Sequence, residues 1–190
     1  LAGNETIPEA EVAGKRNDLL RKLVVLKELD DYWVRAFLAA SIKKDPVSVV
    51  ALVMARLVEA KHRDDWSYKP LDKEYRGEGL GLMDIEAGPQ LLRDLLDWAL
   101  EESIDISSAR QIGEAISGLC GDYSEAVLNV LLDWMSSGTQ AHAKLVARVL
   151  QESQPSLIYE QSEFIRDILS EAEVIGGDAL EEIRSALAAS

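Results

Sequence analysis

The sequence LLRDLLDW occupies residues 91–98, and VLNVLLDW follows at 127–134, 36 positions later. In both octets the leucines, valine and tryptophan recur at helical spacing and form one broad apolar stripe. A weaker copy, FIRDILSE, follows at 164–171. Each octet therefore predicts an amphipathic helix whose apolar face is too broad to be buried without neighbours. Trp98 and Trp134 occupy equivalent positions, and we expect both to be at least half buried.

Helix signals recur along the chain, and strand signals are almost absent. In KDPVSVVALVMARLVEAK, Asp45 is an N-cap and Pro46 takes the first helical position, where its missing N–H costs nothing. Asp122 and Glu125 have the spacing of a capping box. The pattern predicts helices at 15–29, 31–43, 46–61, 89–102, 107–119, 123–136, 140–152, 156–173 and 179–188.

The spacing between similar helices is regular. ARQIGEAI at 109–116 matches AKLVARVL at 143–150 with an offset of 34, close to the offset between the octets. Short connections make consecutive helices antiparallel. A helical pair that recurs every 34–37 residues is typical of a stacked solenoid. We therefore predict a single all-α helical-repeat domain over residues 1–190, with a compact non-solenoid helical domain as the alternative.

Three segments carry a resemblance to a known repeat family. In DDYWVRAFLAASIKKDPVSVVALVMARL an acidic residue precedes Val34 and Arg35, and Asp45-Pro46 opens a second helix rich in valine and leucine. This segment resembles a HEAT-type repeat, and SARQIGEAISGLCGDYSEAVLNVLLDWM and TQAHAKLVARVLQESQPSLIYEQSEFIRDILSEA are similar to two further units. The resemblance covers about residues 31–61 and 89–173. Similarity to HEAT and armadillo-like proteins implies an α-solenoid, a right-handed superhelix of helix pairs that serves as a binding scaffold.

Residues 62–88 interrupt the repeats and predict an inserted loop between them. Trp66 and Tyr68 alternate there with basic residues. Loops of this length inside a domain are usually functional or disordered. The segment is either a contact element that reaches over one face of the stack or an insertion whose aromatic side chains dock on neighbouring helices. The glycines of GEGLG lack a preceding strand and the dinucleotide-loop spacing, so they predict flexible backbone.

The charge distribution limits the class of partner. The chain carries a net −14, divided into +1 over residues 1–76 and −15 over residues 77–190. A surface of that sign repels nucleic acid and attracts basic proteins or peptides, although acidic surfaces also serve solubility alone. No apolar run approaches the roughly 18 residues that a membrane helix needs. We expect a cytoplasmic protein with no membrane partner and, because the chain lacks an initiator methionine, a fragment of a larger protein.

Catalytic and metal chemistry finds little support in the sequence. The two histidines, His62 and His142, lie far apart in the chain and have no paired Glu or Cys. The family's iron-dependent hydroxylases need paired His-Glu ligands, so the sequence excludes that activity. Cys120 ends a helix, where the negative pole raises a thiol pKa, and it is interpreted as structural. We predict no catalytic residue, no metal and no cofactor.

Three functional hypotheses remain. The leading hypothesis is a noncatalytic protein-interaction scaffold or regulatory module. The second is an enzyme similar to the HEAT-like phycobilin lyases, with a pocket of dispersed Asp, Trp and Tyr. The third is that this chain is the repeat region of a larger NTPase or sensor protein.

The leading hypothesis assigns binding to the second helix of each pair, which lines the concave face of HEAT-type solenoids. Asp97 and Asp133 are equivalent in the two octets, and stacked helices lie about 8–10 Å apart. We therefore predict an acidic ridge that receives a Lys/Arg-rich segment, with an affinity that falls as salt rises. The predicted partner-binding residues are Asp94, Asp97, Glu101, Asn129, Asp133 and Asp167, together with Trp66 and Tyr68 of the inserted loop.

Overall fold

The computed structural model describes residues 9–63, 68–71, 79–102, 106–121, 123–151 and 162–188. Over these ranges the chain is all-α, with one short 3₁₀ turn at Leu82–Asp84 and no residue in a strand. The helices are α1 Glu9–Leu23, α2 Tyr32–Ile42, α3 Pro46–Arg63, α4 Gly88–Glu101, α5 Ile106–Cys120, α6 Glu125–Ser136, α7 Gln140–Gln151, α8 Ser162–Ile175 and α9 Ala179–Ala188. The predicted fold class, all-α, is confirmed.

Most helices of the described structure contact the helix two positions later in the chain, whereas α2 contacts α3. The odd-numbered helices α1, α3, α5, α7 and α9 contact one another in succession and form one row. The even-numbered helices α4, α6 and α8 form a second row, and α6 and α8 also contact α7 and α9 across the rows. The three copies of the octet therefore lie on α4, α6 and α8, with α6 in contact with both of the others.

The first of the three expected units differs from the others in its packing. Its second helix, α3, contacts α1 and α5 as well as α2 and α4. The second helices of the other two units, α6 and α8, contact each other, and α6 also contacts α4. Helix α3 thus joins the row of the other units' first helices, so the first unit is not in register with its successors.

The octets supply much of the core because their apolar stripes face the opposite row. Leu92, Leu95, Leu96, Leu128 and Leu131 are completely buried or nearly so, and they belong to one continuous hydrophobic cluster. Trp134 is buried at 4% exposure, and Trp98 is partly buried against the same cluster. The predicted burial of both tryptophans is confirmed.

Helix α1 ends at Leu23, six residues before the predicted end at residue 29. The cause is Arg56 on α3, whose side chain is fully buried. Its guanidinium donates hydrogen bonds to backbone carbonyls that would otherwise continue the α1 helix or its turn, those of Leu23, Val24, Leu26 and Lys27. Apolar periodicity persists through residue 29, but these carbonyls bond to a side chain of another helix.

The described parts of the inserted segment are packed rather than open. Tyr68 is 1% exposed and its hydroxyl donates to the Val24 carbonyl, while Leu71 and Leu80 are also buried. A Cβ added at Gly79 would lie 2.0 Å from the Gly121 backbone nitrogen. For Gly79, the expectation of flexible backbone is therefore wrong: this glycine allows the segment to touch the end of α5. Of the two interpretations of this segment, the one in which aromatic side chains dock on neighbouring parts of the fold therefore applies to Tyr68. Trp66 lies outside the described residues.

The start of α3 was predicted correctly from its capping residue. The Asp45 carboxylate accepts hydrogen bonds from the Ser48 N–H at 3.1 Å and the Ser48 hydroxyl at 2.8 Å, as expected of an N-cap. The Ser48 hydroxyl bond lowers the pKa of Asp45, with a smaller contribution from Arg16. This carboxylate therefore contributes stability above its ordinary pKa of 3.8, and the contribution is lost as pH falls below that value.

Helix α6 begins two residues later than predicted. Its N-cap is Ser124, and the chain before it is held by Tyr123, which is buried and donates its hydroxyl hydrogen to the Gly113 carbonyl at 3.2 Å. The predicted start of α8 at residue 156 lies outside the described residues. The helix that is described there continues to Ile175, two residues beyond the predicted end.

Candidate partner-binding surface

The solvent side of the α4–α6–α8 row carries six of the predicted partner-binding residues, five acidic and one asparagine. All six members are exposed: Asp94, Asp97 and Glu101 on α4, Asn129 and Asp133 on α6, and Asp167 on α8. Because α6 contacts both α4 and α8, these side chains lie on adjacent helices. We refer to this set of six residues as the acidic face.

Asp97 of the acidic face bonds to the tryptophan of the next octet. The Trp134 indole Nε1 donates a hydrogen bond to Asp97 Oδ1 at 2.7 Å. The seventh residue of the first octet thus meets the eighth residue of the second. This contact gives the repeated Asp-Trp dipeptide a role in joining α4 to α6.

A second bond joins the same two helices. Arg93 Nη2 lies 3.0 Å from Asp133 Oδ2, and about two thirds of the Asp133 side chain, 65%, remains exposed. The third copy of the octet has Ser170 and Glu171 where the first two have Asp-Trp. A carboxylate has no N–H to donate, so the indole–carboxylate bond between α4 and α6 cannot recur in that form between α6 and α8.

The other carboxylates of the acidic face do not link helices. Asp94 Oδ1 accepts a hydrogen bond from Gln90 Nε2 at 2.8 Å, one turn earlier on the same helix. Within the described part of the chain, Glu101 and Asp167 form no ion pair. The acidic face therefore has two kinds of carboxylate. Asp97 and Asp133 join α4 to α6. Asp94, Glu101 and Asp167 are exposed and, within the described residues, bond no other helix.

His142 packs against the tryptophan that bonds Asp97. Its ring centroid lies 4.4 Å from that of Trp134, with the planes tilted by 41°. His142 Nδ1 is 3.2 Å from the Thr139 backbone nitrogen, so the ring also closes the first turn of α7. The His142 ring thus packs on Trp134 and accepts a hydrogen bond at the start of α7.

Two features of the described ranges concern metal binding and cysteine reactivity. Those ranges hold no group of three His, Cys, Asp or Glu side chains that could bind a metal ion. Burial raises the pKa of Cys120 to about 12, so its thiol stays protonated at neutral pH. From the sequence, the negative pole of the helix was expected to raise the pKa of Cys120. In the structure, burial raises it.

Arg56, which is fully buried, was not identified from the sequence as an important residue. Arg56 follows Val49 and Val53 on the buried stripe of α3 and precedes Ala60 by one turn. That position alone predicts burial of an arginine, which is an unusual placement. Tyr68, predicted to bind a partner, instead packs its ring under the Arg56 guanidinium, 4.5 Å from the guanidinium carbon, and a partner-binding role for it stays a prediction.

Among the described helices, none is long and apolar enough to cross a membrane. No protein-family model, curated protein or solved structure matches this chain.

Proposed function

We propose that this protein is a noncatalytic interaction scaffold whose acidic face receives a Lys/Arg-rich segment of a partner protein. The supporting observation is that Asp94, Glu101 and Asp167 present solvent-facing carboxylates on a row of contacting helices. The two-row packing supports an α-solenoid of HEAT type, with the α4–α6–α8 row as its concave side. The charge of −15 over residues 77–190 favours a basic partner over an acidic one.

The spacing of the helices matches an extended basic segment. Neighbouring helix axes lie about 8–10 Å apart, and an extended chain advances about 3.3 Å per residue. A lysine or arginine at every third position, roughly 10 Å from the next, therefore meets one helix of the row after another. The attraction between these carboxylates and such a ligand is strongest at low ionic strength, since the Debye length is only about 8 Å at physiological salt.

Variants that test binding must leave the helix-joining bonds intact. Reversing Asp97 and Asp133 to lysine would remove the bonds to Trp134 and Arg93, so this pair cannot separate binding from folding. Reversing Asp94, Glu101 and Asp167 changes the charge by the same amount per residue and avoids both bonds. A matched control is the reversal of three exposed carboxylates in the N-terminal part, Asp18, Glu28 and Asp30.

The test is fluorescence anisotropy with a labelled peptide of Lys-Ser-Ser repeats. We expect the wild-type chain to bind at about 50 mM salt and to lose roughly tenfold in affinity by about 300 mM. The triple reversal of Asp94, Glu101 and Asp167 should lose about tenfold or more at low salt, whereas the control should keep most of its affinity. Equal loss in both triple variants would show nonspecific attraction to net charge and would contradict the proposal.

A further inference from the structure

A groove between α1 and α2 carries the opposite charge to the acidic face. Its volume is about 330 Å³, and Val12, Leu19 and Phe37 form part of its apolar lining. Lys15, Arg16 and Lys44 line the same groove. Val12 and Leu19 are about half exposed, at 48% and 49%, although both belong to a helix that packs on α3. The groove is thus an apolar surface bordered by cations.

Arg16 gives this groove an unused hydrogen-bond donor. Its Nη2 reaches Asp45 Oδ2 at 3.4 Å, a long contact, while its Nε is buried and has no hydrogen-bond partner in the described structure. The neighbouring Asn17 Oδ1 is likewise buried without a partner there. Buried polar atoms are nearly always paired in folded proteins. A carboxylate entering the groove would supply an acceptor to the arginine.

A surface of complementary character lies at the far end of the chain. Val174 near the end of α8 is 81% exposed, the highest exposure among the large apolar residues described. Glu171 lies one turn before it and Glu173 is adjacent in sequence. Val174 is thus flanked by two carboxylates on α8, whereas cations border the apolar side chains of the groove.

The geometry points to a second copy of this chain as the occupant of the groove. Val174 of one copy inserts between α1 and α2 of the next, and Glu171 and Glu173 pair with Lys15, Arg16 or Lys44. The two surfaces differ, so the contact is heterologous and leaves a free groove at one end and a free Val174 at the other. Copies therefore join head to tail. This contact uses none of the six residues of the acidic face, so it does not depend on the basic partner proposed there.

Sedimentation velocity on the full 190-residue chain tests the proposal. A contact made by one valine and a few ion pairs is small and weak, so the average mass should rise between about 10 µM and 1 mM and fall again in high salt. Leu19→Glu blocks the groove and Val174→Lys blocks the inserting residue, and each variant alone should remain monomeric over the whole range. Val25→Lys, which replaces another exposed valine, 60% exposed against 81% for Val174, should associate like wild type.

An equimolar mixture of the two blocked variants gives the decisive result. The Leu19→Glu chain keeps its Val174, and the Val174→Lys chain keeps its groove, so the mixture should form a dimer and nothing larger. A wild-type chain that stays monomeric throughout would overturn the proposal. Association that is lost in Leu19→Glu but retained in Val174→Lys would also overturn it, since the groove would then receive a different element.

Discussion

Replacing Arg56 with methionine is expected to lower the free energy of unfolding by about 3–5 kcal/mol, because more than one buried carbonyl loses its hydrogen-bond donor. Methionine fills similar space but donates no hydrogen bond, so the carbonyls that Arg56 bonds after α1 and in residues 68–71 lose their donor. The buried ones are the Pro70 carbonyl, bonded by Nε at 2.6 Å, and the Leu23 carbonyl, bonded by Nη1. Each buried acceptor left unpaired costs about 1–3 kcal/mol.

Arg63 provides the matched control for this experiment. Its guanidinium carbon lies 4.9 Å from the Tyr68 ring centroid, close to the 4.5 Å of Arg56, but Arg63 is exposed and pairs with Glu59. Arg63→Met should change stability by less than about 1 kcal/mol, as expected of a surface ion pair. Urea unfolding followed by circular dichroism measures both variants. Equal midpoints for Arg56→Met and wild type would show that the arginine does not hold α1 and residues 68–71 to α3.

Replacing Trp134 with alanine is the second large effect, with an expected cost of about 3–5 kcal/mol. The ring is 4% exposed and fills space between α4, α6 and His142. Trp134→Phe keeps most of the apolar volume and removes the N–H that Asp97 accepts, so we expect a smaller loss of about 1–3 kcal/mol. Trp98→Ala should cost less than Trp134→Ala because Trp98 is only partly buried.

Trp33 is the control for the tryptophan series, since it is 76% exposed and its removal should cost less than about 0.5 kcal/mol. The bond itself is isolated by a double-mutant cycle of Asp97→Asn and Trp134→Phe. We expect a coupling energy of about 1 kcal/mol between the two positions. Additive effects within about 0.3 kcal/mol would mean that the repeated Asp-Trp dipeptide does not join the helices.

Local signals in the sequence predicted the elements that depend on local bonding. The Asp45-Pro46 start of α3 and the bounds of α9 were predicted correctly, because capping and turn residues lie within a few positions of the helices that they limit. The end of α1 was not predicted, because Arg56 lies 33 residues beyond Leu23 in the chain. No periodicity in residues 15–29 carries information about that side chain.

The acidic face shows the same division between local and long-range information. The repeat placed Asp97 and Asp133 at equivalent positions, and their exposure follows from helical periodicity. That Asp97 would accept from Trp134, and Asp133 pair with Arg93, depends on how far α4 and α6 are shifted along each other. Spacing in the sequence does not fix that shift, so both residues were assigned to partner binding without their role in joining the helices.

The most direct test of the proposed function is to locate a bound basic peptide on the surface. The ¹⁵N-labelled chain is titrated with the Lys-Ser-Ser repeat peptide, and amide chemical shifts are followed at low salt. The proposal predicts that the largest shifts occur at exposed positions of α4, α6 and α8, around Asp94, Glu101 and Asp167, and disappear in the triple reversal. Shifts confined to α1 and α2, or to the residues around Tyr68, would contradict it.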